Sequence, residues 1–440
     1  MISSPIDIAE LLSRLIRFDT TNPPGSEGGC VRFLADLLGT AGISTKLYSR
    51  SPDRPNLIAR LPGRAEAPPL LLYGHVDVVT TAGQAWSHPP FEGRIIDGSV
   101  WGRGALDMKG GIAMMVSALL RAKEEGLRPA GDIVLAIVAD EEAGGADGAR
   151  FLVEHHPDAL EGVRFALGEF GGFPLHLGGR RFYMIQVAEK QPCWLETTLR
   201  GRAGHGARPM HGEAMATLGR VLSALDKKRT PIHITPVTRR TIATIARHVS
   251  RPKGFILRRL LQPQLTDRIL GLLGSIGRTF EPLFRHTVNA TVVHGGEKPN
   301  VIPSEIVLGL DARILPGFDP EDLLDELRRL IGTDLGFRVL YHDTAPPDSD
   351  LGLFDTLGEV LRELDRDAIP VPFLLPGSTD ARLFSQLGIQ SYGFTPMSLP
   401  AGLDFFSTIH AADERIPVEA LDFGANAILR VIERYGSVES

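Results

Sequence analysis

Five side chains of metal-ligating type stand at the ends of apolar runs or at turns: His75, Asp107, Glu142, Glu169 and His410. Imidazole and carboxylate donors suit Zn²⁺, with Co²⁺ or Mn²⁺ as alternatives, better than the soft ions that select thiolates. Five donors exceed what one tetrahedral ion needs. One bridging carboxylate would let them serve two divalent metal ions with three contacts each. Paired ions of this kind lie about 3.5–4 Å apart and hold the attacking water and the scissile oxygen together. That water also needs a base. Glu141 adjoins Glu142, and neighbours on a loop can point apart, so one can bind metal while the other faces substrate. Such a base contributes on the order of 100- to 10,000-fold. Asp77 suits a supporting role, accepting the second ring N–H of His75 and fixing its tautomer. Taken singly, each residue reads as a satisfied polar group at an element boundary. The set argues for a site.

The elements that must position them are legible in order. Leu70–Tyr73 is an apolar run that breaks at Gly74 and delivers His75 and Asp77 to one face of an extended end. Asp107 precedes Lys109-Gly110-Gly111 and an apolar helix that Gly126 closes. Ile133–Ala139 reads as a strand buried on both faces, ending in Asp140-Glu141-Glu142. Val163–Leu167 reads as another strand, followed by Gly168-Glu169. Strands alternating with helices predict an α/β domain whose ligands sit beyond the carboxyl ends of the strands. Met1–Phe18 reads as an amphipathic helix, and Gln84–Arg103 as an ordered loop. From Pro192 the order becomes strand–helix–strand–strand–helix–strand, an inserted α+β sandwich. Within it, Thr230–His286 adds a helical segment rich in Arg and Leu. A basic helix could lie on a membrane surface, but Pro252, Gly254 and Pro263 oppose one long helix, so a lid decoration or subunit contact is the favoured reading.

The 440 residues suit two or three domains, with 43% hydrophobic and 23% charged residues, ordinary for a globular chain. A net charge of −6 without a long basic run leaves no expectation of a nucleic-acid partner. No apolar stretch reaches the roughly 18 residues of a membrane span, and no membrane partner is expected. Two cysteines, Cys30 and Cys193, suit a reducing compartment, and a cytoplasmic location is expected.

Gly74-His75-Val76-Asp77, the Gly102–Gly111 stretch GRGALDMKGG and Asp140-Glu141-Glu142, in that order, resemble the leading motifs of one family. It is the clan MH dinuclear-zinc metallopeptidase family of aminoacylase, acetylornithine deacetylase, succinyl-diaminopimelate desuccinylase and glutamate carboxypeptidase. The resemblance implies that His75 and Glu169 bind one ion, Glu142 and His410 the other, and that Asp107 bridges. Glu141 would be the general acid/base, with Asp77 supporting His75. The Gly201–Pro209 stretch GRAGHGARP resembles the lid motif whose histidine, here His205, stabilises the oxyanion. Lys298–Pro303 and Asp311-Ala312-Arg313 match segments that supply Asn300 and a carboxylate-binding Arg313. Gly377 and Ser378 open a turn that resembles the substrate-binding turn. Three departures stand out: Phe170 follows Glu169 where relatives often carry Pro, Ala-Ala-Asp-Glu follows His410, and Ser378 replaces a more usual Gly.

The expected fold is therefore α/β: a zinc-peptidase-like catalytic domain with a mixed sheet flanked by helices (1–192 and 344–440), plus an inserted α+β sandwich lid and dimerisation domain (193–343, with the helical segment 230–286). The expected activity is two-metal hydrolysis of an amide or peptide bond next to a free carboxylate. Dipeptides, short peptides cleaved at the C-terminus and N-acyl amino acids are the substrate classes. A biosynthetic deacylase of acetylornithine or succinyl-diaminopimelate type is the alternative within enzymes. A non-catalytic metal- or ligand-binding homologue is the alternative outside them. The sequence leaves the oligomeric state open: a homodimer through the lid is one option, and the helical segment could add a dimer contact or replace one.

Overall fold

The computed structural model describes residues 7–332, 335–346, 348–403 and 405–436. They form two compact units, one of residues 1–187, 350–373 and 379–440, the other of residues 188–349 and 374–378.

The first unit is built on a mixed sheet. Its strands run in the order Ser44–Ser49, Pro55–Leu61, Ile133–Val138, Leu70–His75, Phe165–Gly168, Gln390–Gly393, Arg180–Glu189 and Ala368–Leu375. The second, third, fourth and fifth of these matter most. Leu70–His75 lies parallel to both Ile133–Val138 and Phe165–Gly168, with His75 opposite Val138 and Leu72 opposite Leu167. Parallel pairing at this register brings three carboxyl ends to one edge. His75, Glu141, Glu142 and Glu169 therefore leave the sheet side by side. Apolar side chains on both faces make these strands near-continuous hydrophobic runs. Leu71, Tyr73, Val134, Ala136 and Val138 pack with Leu152, Leu383 and Phe384 on one face. Gly74 points to the other face. A Cβ there would lie 2.4 Å from Met108 Cε and 2.9 Å from Ile112 Cδ1, so a larger residue would have to displace these side-chain tips where the Lys109–Glu124 helix packs on the strand.

The second unit is an antiparallel sheet in the order Thr287–His294, Glu305–Ile314, Gln191–Arg200 and Phe337–His342. The helices Ala214–Lys227 and Pro320–Ile331 pack on it around Leu195, Leu199, Val221, Leu308, Leu310 and Leu327. The predicted α/β sheet and α+β sandwich are both present.

One expectation is corrected, one element is new and one is narrowed. Gln84–Arg103 is not all loop, because Arg94–Ile96 and Ser99–Trp101 pair, and Arg415–Pro417 joins them. A hairpin of Phe173–Leu177 and Arg180–Glu189 was not anticipated. Its turn, Gly178-Gly179, has positive φ at both residues (60° and 74°), the condition for a tight hairpin turn. Of the Met1–Phe18 helix, Ile8–Ile16 is helical with Asp7 as N-cap, and residues 1–6 lie outside the described residues.

Residues 230–286 fold as short helices, Pro236–His248, Arg251–Arg259, Pro263–Leu272 and Gly274–Phe280, with prolines in the first turns of the first three. The ends of the segment are clasped together. Thr230 Oγ1 donates to the His286 carbonyl (2.6 Å), and Arg285 Nη1 donates to the Thr230 carbonyl (2.7 Å). His233 Nε2 meets Glu326 Oε1 at 2.6 Å, and the buried ring of His286 packs beside His233 and Phe318. His286 Nδ1 accepts the Leu315 N–H at 3.1 Å.

Burial, then charge repulsion from the neighbouring His233 and Lys190, push the His286 pKa down from 6.5 to about 3. Between those values the unfolded chain holds the extra proton, so the stability gained by a neutral His286 is complete above pH 6.5 and drains away as pH falls toward 3. His286→Asn keeps an acceptor for Leu315 but cannot titrate. Thermal melts at pH 7 and pH ~4.5 should show a smaller loss of Tm in this variant than in the parent; equal losses would refute the assignment.

Candidate metal centre

Asp107 sits between two histidines. Its Oδ1 lies 3.2 Å from His75 Nε2, and its Oδ2 lies 3.2 Å from His410 Nε2. Glu169 Oε2 completes the first group at 3.3 Å from His75 Nε2. Glu142 Oε1 completes the second at 3.2 Å from His410 Nε2. A cation about 2.0–2.1 Å from tetrahedrally placed N and O donors sets those donors roughly 3.3–3.4 Å apart. The observed separations match that edge, so each group could hold one metal ion, with Asp107 shared.

The tautomer of His75 fits as well. Its Nδ1–H donates to the Asp77 backbone carbonyl at 3.0 Å, which leaves the Nε2 lone pair facing the carboxylates. The expected partner was the Asp77 side chain, but that oxygen stands farther off, at 3.4 Å. The buried Asp77 carboxylate is occupied elsewhere. It accepts Asn22 Nδ2 (2.9 Å) and the backbone N–H groups of Glu141 and Glu142 (3.1 Å each). Asp77 thus fixes the turn that carries Glu141 and Glu142.

Two further carboxylates hold the surrounding loops. Asp140, in the left-handed region at φ 67°, takes Asn22 Nδ2 at 3.1 Å, Arg54 Nη1 at 2.9 Å and the Asp147 N–H at 3.0 Å. Glu414 is fully buried and accepts the N–H groups of Leu106 (2.7 Å) and Asp107 (3.1 Å). Its other oxygen pairs with the buried Arg103 at 2.6 Å. Arg103 also donates to Gln84 Oε1 (2.8 Å), and Gln84 Nε2 donates to the backbone carbonyl of His410 (2.8 Å). One chain of bonds therefore links the backbones of Asp107 and His410, the latter held at φ 59°. Asn22, Gln84, Arg103 and Glu414 were not singled out from sequence. Their only signals were the arginine inside GRGALD and the acid four residues after His410.

The electrostatics follow from crowding. Burial, opposed by His75, pushes the Glu169 pKa up to about 8. Withdrawal from water, and then the Glu169 charge, push Glu141 well above the carboxylate range. Hydrogen bonds donated to the Asp107 and Glu142 carboxylates raise His410 to about 10. Asp107 goes the other way: its desolvation is outweighed by bonds it accepts from His410 and His75, and its pKa is lowered. Asp380, buried with no hydrogen-bond partner on either oxygen, is pushed up to about 6 by desolvation. Neighbouring carboxylates that would otherwise need protons are the environment a multivalent cation relieves.

A third group of ligand-type side chains, His233, His286 and Glu326, does not fit a metal. His286 Nδ1 accepts a backbone N–H, so its neutral ring carries the proton on Nε2, where the ion would have to bind.

All five ligand-type residues and Glu141 belong to the first unit. His205, Asn300, Arg313, Gly377 and Ser378 belong to the second. There His205 pairs with Val301, and Gly206 N–H donates to the Asn300 carbonyl at 2.8 Å. Arg313 forms a two-bond fork with Asp311 (3.0 and 3.1 Å) and donates to Ser378 Oγ at 2.9 Å.

The model of the peptidase family M20/M25/M40 matches residues 71–434, which include every residue of both groups. The chain belongs to this family. Among relatives, a probable carboxypeptidase S-like 2 of Dictyostelium discoideum is 29% identical over 80% of this chain and 68% of its own length. Aminoacylase-1 of Sus scrofa is 26% identical over 97% and 95%. The M20 metallo-carboxypeptidase Sso-CP2 of Sulfolobus solfataricus shares the fold at a TM-score of 0.72 and 17% identity, over 98% of this chain and all of that one. This M20 chain is a metal-dependent hydrolase of amide or peptide bonds.

Glu414→Ala would strand the buried Arg103 guanidinium and the buried N–H groups of Gly104, Leu106 and Asp107. Breaking a buried pair from one side costs about 3–5 kcal/mol. Chemical denaturation should show a loss of that order, with Glu414→Gln losing less because it keeps an acceptor. A loss below about 1 kcal/mol, the range of exposed pairs, would show that the network does not hold this loop.

Proposed function

We propose that the chain hydrolyses an amide bond next to a free carboxylate, in a dipeptide, at the C-terminus of a short peptide, or in an N-acyl amino acid. The observation that carries this reading is the division of Asp107 between two histidine–carboxylate groups, with Glu141 beside them and in neither. His75 and Glu169 would hold one ion, Glu142 and His410 the other, with Asp107 shared. Zinc is the proposed metal, on the donor set. Two such ions would polarise the scissile carbonyl and acidify water between them.

The remaining steps fall to this chain's own groups. Glu141 takes the proton of the attacking water and later delivers it to the leaving amine. Burial and the Glu169 charge raise its pKa, which favours uptake of the proton it must carry between the two steps. His205 donates a hydrogen bond to the oxyanion as charge develops there. Arg313 receives the substrate carboxylate. Its Nε and one N–H of each terminal nitrogen are engaged by Asp311 and Ser378, which fixes the guanidinium and leaves two N–H donors for the ligand. Asn300, Gly377 and Ser378 line the proposed substrate side. Relatives named aminoacylase-1 and carboxypeptidase S-like support the substrate classes.

The proposed assembly is a homodimer through the lid unit. Thr287–His294 is an edge strand whose Val292 and Val293 are exposed, a surface that invites strand pairing. Two unpaired, buried cysteines support a cytoplasmic setting.

The test is a panel of dipeptides, short peptides and N-acyl amino acids, with acetylornithine and succinyl-diaminopimelate included, assayed on protein reconstituted with Zn²⁺, Co²⁺ or Mn²⁺. Release of free amino acid from one carboxylate-bearing class is expected. Selective cleavage of the two biosynthetic substrates would move the reading to a deacylase, and no cleavage with any metal would leave a binding homologue.

Glu141→Gln should lower kcat by at least about 100-fold while elemental analysis finds metal content unchanged. Loss of metal in this variant would exchange the proposed roles of Glu141 and Glu142.

A further inference from the structure

Residues 230–286 carry ten Lys and Arg against two Asp and Glu, a net charge of +8 in a chain whose total is −6. The remaining residues therefore carry −14 between them. Charge this segregated creates a directional field.

The helix Arg251–Arg259 turns apolar side chains outward. Phe255 is 58% exposed and Ile256 43%. At 100° per residue these two adjoin on the outer face, with Arg251 and Arg258 along one flank and Lys253 along the other. All three cations are exposed. Arg259 lies over the Phe255 ring at 4.7 Å. The inner face is close-packed: a Cβ on Gly254 would meet the Ala246 carbonyl at 2.3 Å. The outward face is thus fixed by packing and not a surface awaiting burial in its own core. The next helices repeat the pattern. Leu272, at 74% exposed, closes one of them, and Ile276 is 41% exposed on the other, with Arg268 and Arg278 exposed nearby in sequence. Gly277 seats the second against the Leu270 carbonyl.

We propose that this segment docks on an anionic lipid surface, with Phe255, Ile256, Leu272 and Ile276 entering the headgroup boundary and the flanking cations meeting lipid phosphates. Aliphatic and aromatic tips ringed by long cationic side chains are what an interface of apolar depth and anionic rim selects. The segment's +8 matches an anionic bilayer, and the acidic remainder of the chain is repelled from it. A second copy offers a poorer match. Cationic segment against acidic remainder is a head-to-tail contact, not the self-complementary patch of a twofold dimer. The prolines that exclude one long helix do not weaken the surface; they divide it into short helices. The expectation of no membrane partner is revised accordingly. This inference is independent of the metal centre.

The test is co-sedimentation of the full chain with vesicles of phosphatidylcholine alone or with 30 mol% phosphatidylglycerol (about one lipid in three, enough to give an anionic surface). Binding is expected only to the anionic vesicles and should be reversed by high salt. Each cation near such a surface contributes roughly fivefold in affinity, so Arg251→Glu with Arg258→Glu should weaken binding by at least about 25-fold. Phe255→Asp with Ile256→Asp should also abolish it. Both pairs are exposed, so helicity and hydrolysis of a soluble substrate should be unchanged. Equal binding to neutral vesicles, no binding to either, or binding retained in both variants would overturn the proposal. So would lipid-free self-association by sedimentation velocity that the same variants abolish, which would assign the face to a second copy.

Discussion

The structure of the first unit turns on one electrostatic problem. Parallel strands deliver Asp77, Glu141, Glu142 and Glu169 to a single sheet edge, the turn before the Lys109–Glu124 helix adds Asp107, and Asp140, Asp380 and Glu414 stand close behind. Carboxylates this close cannot all ionise in a poorly hydrated site unless fixed or bound positive charge offsets them. The fold supplies some of that charge itself. Arg54 pairs with Asp140, and Arg103 with Glu414. Those pairs serve the carboxylates that hold loops. The carboxylates facing His75 and His410 are left for cations that the chain does not encode.

That division explains which side chains are rigid. Asp77, Asp140 and Glu414 each accept backbone N–H groups, so each converts a buried charge into a fixed turn. The residues displayed by those turns are Glu141, Glu142 and Asp107. Left-handed backbone at Asp140, Phe170 and His410 falls at or beside the same displays, and positions of this kind persist only where surrounding bonds over-determine them. Placement of the ligand-type groups is thus over-determined by charged groups that touch no ligand themselves.

Much of this could be read from sequence because strand periodicity and polar strand ends are local signals. His75, Glu142 and Glu169 follow apolar runs, and the runs align. The supporting groups were harder, because their partners are remote. Glu414 meets Asp107 across 307 residues, and Gln84 meets His410 across 326. Nothing in either local pattern announces such a pairing. Asp77 shows a subtler failure: spacing put it beside His75, but at i+2 its own backbone carbonyl reaches the ring first, which frees the carboxylate to bind the Glu141 turn. The hairpin at Phe173–Glu189 was missed although Gly178-Gly179 marks it, since its strands lack a clean alternation of apolar and polar residues.

The distribution of charge between the units gives the proposed chemistry its physical economy. A centre that binds cations must be acidic, and an acidic centre repels the carboxylate of the substrate it is proposed to cleave. The groups proposed to meet that carboxylate and the oxyanion, Arg313 and His205, are placed in a different unit from the acids. Arg313 is not left as a bare charge there. Asp311 holds it within its own strand, two residues away, so its orientation does not depend on the metal centre. The positive charge of Arg313 is thus satisfied within its own unit, whereas the acids around His75 and His410 still call for a bound cation.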